Sequence, residues 1–253
     1  MSSDPSKQFQ HILEAARADP HVLGLFLGGS RAKAFDHEFS DYDICVIMAD
    51  DAPEPTHEHY LRLNSERFDV WIYPFSQFRN ESAWDGPEFW DRYSYDHASA
   101  LIDKCDGQIQ RLIDQRGRIP AEQRDPWLRG CLDGYINSVY RSLKCLRKGN
   151  RLGARLEAAE SITRLLDVLF AYEMRHRPFH GYLERELRKY PLGSLPISAD
   201  ELLAKIDAIT ASADRATQQE LLAMADALLR PAGFGDVFDS WGENYPWMRS
   251  FKG

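Results

Sequence analysis

The 253-residue chain is poor in cysteine. Its four are Cys45, Cys105, Cys131 and Cys145, and no two form a CxxC pair or a zinc-finger spacing. A disulfide framework and a cysteine zinc site are therefore not expected; free thiols in a reducing compartment are. Long apolar runs are also missing. No stretch approaches the ~18 residues of a membrane helix, and MSSDPSKQFQHILEAARADP lacks the apolar core of a signal peptide. The expectation is a cytoplasmic protein with no membrane partner. Positive charge is short as well, with 31 Lys+Arg against 39 Asp+Glu and a net charge of −8. That balance argues against broad, unspecific nucleic-acid binding. Internal repeats and low-complexity tracts are absent.

What is present suits a folded enzyme-sized chain. Apolar residues make up 43% and aromatics 12%, enough for a core in one large domain or two small ones. The charge is uneven. Residues 1–118 hold 12 Lys+Arg against 21 Asp+Glu, and the remainder holds 19 against 18. An acidic first half suits a metal or a cationic ligand, or is a solvated acidic surface.

The pattern of elements also changes along the chain. Phe9, Ile12, Leu13 and Ala16 recur at helical spacing and predict a helix over 6–18. Val22–Leu27, Asp41–Met48 and Arg67–Tyr73 read as strands. Residues 50–59 read as a proline-broken loop, and 98–114 as helix. The polar stretch 115–120 marks a boundary. Beyond it only helical stripes occur, at 121–149, 151–175, 181–189, 199–211 and 214–230. The expected fold class is α+β: a small mixed β-sheet domain over 1–118, then an all-α helical bundle over 119–253.

Chemistry concentrates in GGSRAKAFDHEFSDYD, residues 28–43. Gly28 and Gly29 follow a buried strand and let backbone approach a phosphate. Ser30 adds a hydroxyl, and a helix starting there would favour an anion. Asp41 and Asp43, two apart on a strand, share a face, and Asp69 joins them if the second and third strands are neighbours. Three such carboxylates repel one another unless cations intervene, and hard oxygen donors suit Mg²⁺ or Mn²⁺. A lone GGS reads as a turn and a lone DxD as a surface strand; together, in this order, they are far more specific.

The combination resembles the nucleotidyltransferase superfamily of the DNA polymerase β type, on Gly29, Ser30, Ser40, Asp41, Asp43 and Asp69. The motif resemblance covers roughly residues 22–75. It implies that Gly and Ser hold nucleotide phosphates, with Gly28, Arg31 and Ser40 alongside. It further implies that Asp41, Asp43 and Asp69 are the catalytic, metal-binding carboxylates, holding two Mg²⁺ ions, with Mn²⁺ as the alternative. One departure is Ala34, where many relatives carry a second glycine. The helical second half is similar in architecture to aminoglycoside and lincosamide nucleotidyltransferases, which implies that it binds the acceptor.

The expected reaction is transfer of AMP from ATP, or of another nucleotide, to a hydroxyl of a small molecule. An aminoglycoside-like antibiotic is the leading acceptor. Nucleotidylation of a protein and a non-catalytic, antitoxin-like partner are the alternatives. Lys144, with Arg141 and Lys148, forms a basic stripe that either meets the triphosphate or is a solvated helix face. Lys33, beside Arg31, either neutralises triphosphate or is a surface charge. Glu88, Trp90, Glu157 and Glu160 are candidate acceptor contacts, read against loop packing and an ordinary Glu160–Arg164 surface pair. Base preference, the general base and the oligomeric state stay open.

Overall fold

The structure is a computed structural model and describes residues 4–85 and 89–252, with side chains at 89 and 90 outside the description. The chain divides into two compact units, 1–120 and 121–253. The class is α+β: a mixed sheet with flanking helices in the first unit, helices alone among the described residues of the second.

The first unit opens with α1 (Pro5–Ala18). Asp4 caps it by accepting from the Ser6 N–H at 3.0 Å, and Pro5 sits where no helical N–H is needed. Next come β1 (Val22–Leu27), the single turn α2 (Gly29–Ala32), β2 (Tyr42–Met48), α3 (Glu54–Leu61) and β3 (Phe68–Pro74). After them lie α4 (Phe75–Ser82), a 3₁₀ turn (Phe89–Tyr95), β4 (Ala100–Asp103) and α5 (Gln108–Gly117). The strand order is β3-β2-β1-β4. β1 runs antiparallel to both neighbours, while β2 and β3 are parallel, joined through α3 as a parallel pair requires.

Alternation along β2 divides the core. Tyr42, Ile44, Val46 and Met48 pack with Phe9, Ile12 and Leu13 of α1 and Tyr60 of α3. Cys45 and Ile47 face the other way, toward Phe78 of α4 and Ile109 and Ile113 of α5. Asp43 falls on this second face. The helices there are tied by Arg116, fully buried, which donates to Glu81 Oε2 at 2.8 Å and Asp91 Oδ2 at 2.9 Å and stacks over Tyr95.

Two elements differ from the sequence reading. Residues 54–61 are helical because Pro53 and Pro55 lie at the cap and in the first turn, where proline costs no hydrogen bond. Residues 100–103 form an edge strand instead of a helix. ALID is too short to carry its own period, and its pairing with Gly24 and Leu25 of β1 decides its state.

The second unit is built on α6 (Ala121–Arg147) and α7 (Arg151–Tyr172), packed together and joined by a tight turn with Gly149 at φ +72°. Leu128, Leu132, Ile136, Val139 and Leu143 of α6 are fully buried, as are Ala158 and Leu165 of α7. α8 (Leu183–Lys189), α9 (Ala199–Ser212), α10 (Arg215–Leu229), α11 (Gly235–Asp239) and α12 (Asn244–Ser250) complete it. The aromatic tail packs on α6, with Trp241 and Trp247 5.6 and 5.7 Å from the Tyr140 ring. Among the described residues no helix is long and apolar enough to cross a membrane.

Candidate functional site

The site grows from the β1–α2 turn. Gly28 donates its N–H to the carbonyl of Asp43 at 2.8 Å, fastening the turn to β2. Gly29 adopts φ +54°, the left-handed region that favours glycine. A Cβ built on Gly29 would lie 1.9 Å from Asp43 Oδ2 and 2.7 Å from Asp43 Cγ. The Asp43 carboxylate therefore rests in the space that a side chain at 29 would fill. At Gly28 the added Cβ would meet Asp43 Cβ at 3.6 Å, an ordinary contact. The two glycines do different things, which the sequence does not distinguish.

The helix expected after Ser30 is one turn, α2. The chain bends away at Ala34, itself at φ +51°. Ser30 is buried, and its carbonyl accepts from the N–H groups of Lys33 and Phe35. A helix-end field of useful size is thus not available here. What the turn offers an anion is the Ser30 hydroxyl and loop N–H groups.

β2 and β3 are neighbours in a register that sets Asp43 opposite Asp69. Asp41 precedes β2 by one residue. The three carboxylates act on one another: Asp43 is pushed up to about 6, first by burial, then by the charges of Asp41 and Asp69, with Lys33 opposing. Among the described residues none of the three makes an ion pair with a basic side chain. Carboxylates that raise one another's proton affinity without ion-pair partners are donors of the type that suits a divalent cation.

The basic residues of the motif support this arrangement from behind. Arg31 donates from Nε to the Asp41 carbonyl at 2.8 Å and from Nη2 to the Ser40 carbonyl at 2.9 Å, pairs with Asp36, and stacks on the Tyr42 ring. These contacts clamp the segment leading into the DxD and give Arg31 a bracing role beside the glycine turn. Lys33 is fully buried. Its ammonium donates to the carbonyls of Ser94 and Asp96 and lies over Tyr93, so the surface-charge alternative does not hold for it. Ser40 is buried too, and its Oγ accepts from the His37 N–H at 3.0 Å, closing the turn before Asp41.

The remaining candidates stand elsewhere. Lys144 lies on α6 with Nζ 4.8 Å from the centre of the Tyr140 ring. Glu157 on α7 pairs with Arg141 of α6, and Glu160 pairs with Arg164 at 3.0 Å. Both acids are ion-paired, which Asp41, Asp43 and Asp69 are not among the described residues. Glu88 and the side chain of Trp90 lie outside the described residues.

No protein-family model matches the chain, and no curated protein does. Among solved structures, a nucleotidyltransferase-like protein from Exiguobacterium sibiricum is similar at a TM-score of 0.40 and 12% identity, over 94% of this chain and 90% of that one. A likeness at this level leaves the reading of the site to its own residues.

Proposed function

We propose that the first unit is the catalytic module of a metal-dependent nucleotidyltransferase. It transfers a nucleoside monophosphate, with AMP from ATP the leading case, to the hydroxyl of a small acceptor. The observation that carries this reading is the set Asp41, Asp43 and Asp69, none of them ion-paired among the described residues, against a glycine turn shaped around Asp43. An aminoglycoside-like antibiotic is the leading acceptor in this reading.

Asp41, Asp43 and Asp69 would hold two divalent cations, Mg²⁺ or Mn²⁺. When bound, such ions neutralise a triphosphate and make its α-phosphorus a better electrophile. The chain's own residues do the rest. Ser30 and the Gly29 backbone receive phosphate oxygens. Arg31 holds the Ser40–Asp41 carbonyls, and so the carboxylates, in place. The acceptor hydroxyl oxygen forms a bond to the α-phosphorus as its proton passes to the Asp69 carboxylate. The bond from the α-phosphorus to the bridging oxygen breaks, and pyrophosphate leaves with the electron pair. Most of the rate comes from positioning and charge neutralisation.

The test is ATP binding by calorimetry, with and without Mg²⁺, on wild type and on the Asp41→Ala/Asp43→Ala double variant, with circular dichroism to show that both fold. Metal-dependent binding that disappears in the folded variant supports the reading. Absence of binding by ATP and by the other three nucleotides overturns it.

A further inference from the structure

Between Asp133 and Glu157 the chain carries six basic residues and no acidic one, in a protein of net charge −8. The run spans the end of α6 and the start of α7. Four of its cations, Arg147, Lys148, Arg151 and Arg155, are exposed. Among the described residues none of the four makes an ion pair, and the acids that follow, Glu157 and Glu160, are paired with Arg141 and Arg164. Arg147 and Lys148 have a local reason to be there, because cations suit the negative C-terminal end of α6. Arg151 has none. It opens α7, whose first turn holds no acid, and adds positive charge to a helix end that is positive already. Arg155, four residues on, repels it.

Apolar surface stands beside this charge. Leu152 is 68% exposed and Leu156 64%, an unusual amount of large apolar surface to leave in water at one place. Four residues apart, the two leucines share one face of α7, next to the track of Arg151 and Arg155. Residues 147–152 are all exposed, so the turn is a protruding end and not a groove. The leucines and the unpaired cations each disfavour the free protein, and one occupant relieves both. Nucleic acid neutralises the arginines but leaves the leucines in water. A partner helix covers leucines, but it does so in a groove. An anionic bilayer offers phosphate groups to the cations and, just beneath them, hydrocarbon to the leucines, and a protruding end fits it.

We infer that the α6–α7 turn is a peripheral docking surface for anionic phospholipid, with Arg147, Lys148, Arg151 and Arg155 on the headgroup phosphates and Leu152 and Leu156 as the inserted side chains. The expectation of no membrane partner rests on the lack of an apolar run long enough to span a bilayer, and a peripheral contact requires none. Nothing in this inference depends on the transferase reading.

The test is co-sedimentation of the full chain with vesicles of phosphatidylcholine alone, or of phosphatidylcholine with about one-third phosphatidylglycerol. Expected is binding to the anionic vesicles only, weakening as salt is raised. Arg151→Ser should lower the affinity about fivefold. The double variant Leu152→Ser/Leu156→Ser should lower it about tenfold. Leu61→Ser, which alters an exposed leucine of α3, should leave it unchanged, and circular dichroism shows that each variant folds. Equal binding to neutral vesicles, no binding to anionic ones, or an equal loss in Leu61→Ser overturns the inference. So does a double leucine variant that binds like wild type, or a wild type that binds single-stranded polyuridine but no vesicle, since either makes the turn a polyanion site without a role for its leucines.

Discussion

Substituting Gly29 by alanine tests the site at its tightest point. Two costs follow from the structure. The first is conformational: at φ +54° an alanine is strained by about 1–2 kcal/mol, equal to a fall in Tm of about 2–8 °C at ~2–4 °C per kcal/mol for a chain of this size. The second is steric. The new Cβ arrives 1.9 Å from Asp43 Oδ2, far inside the ~3.5 Å of a normal contact, so the carboxylate must swing away by more than an ångström. A displacement of that size in a reacting group costs about 100-fold in turnover. Gly28→Ala is the control, because its Cβ meets Asp43 at 3.6 Å and its φ is −94°. The assay pairs thermal unfolding with calorimetric titration of Mg²⁺–ATP and, once an acceptor is known, with pyrophosphate release. Gly29→Ala should remain folded at 20 °C yet lose metal-dependent nucleotide binding by tenfold or more, while Gly28→Ala stays within about threefold of wild type. If both variants bind equally well, the glycine turn is not shaped around Asp43 and the reasoning fails.

Asp43, raised to about 6 in the fold from an unfolded value near 3.8, binds its proton more tightly when folded. The fold therefore loses stability as pH rises from about 4 to 6, and the penalty is full above 6. Metal-free Asp43→Asn should accordingly melt a few degrees above wild type at pH 7.5 and level with it at pH 4; a constant offset at both pH values would refute this. Ala34→Gly, at an exposed position with φ +51°, should stabilise the chain by about 0.5–1 kcal/mol, visible as a Tm rise of a few degrees; a fall would show that the left-handed turn is not strained. Arg116→Ala would leave Glu81 and Asp91 facing an empty buried position and should destabilise the first unit by about 3–5 kcal/mol in urea unfolding. A loss below 1 kcal/mol would mean that the cluster is solvated.

The pairing of Asp43 with Asp69 was legible because strand alternation is a short-range rule. Asp41 and Asp43 reveal their shared face from spacing alone, and Asp69 joins them once one neighbour relation is granted. The fold class was legible for a similar reason, since a run of strands followed by unbroken helical stripes is a local pattern. β4 was not, because four residues hold no period and only β1 decides their state. α3 was hidden by the prolines that begin it. The surroundings of the basic residues were hidden for a different reason. A sequence shows that Arg31 and Lys33 stand next to a phosphate-type loop, but not that backbone carbonyls of Ser40, Asp41, Ser94 and Asp96 take up their donors. Carbonyl acceptors are present at every residue and so leave no trace in the pattern of residue types.

Asn64, just ahead of β3, bears on how the chain behaves when it is crowded with copies of itself. A free parallel edge with Trp71 and Ile72 on it is a template on which a second chain can pair, and aggregation starts from such edges. By holding both the N–H and the carbonyl of Val70, one neutral side chain removes the central rung of that template without a charged gatekeeper. Asn64 thus protects the protein against self-association at high concentration while keeping the edge acidic.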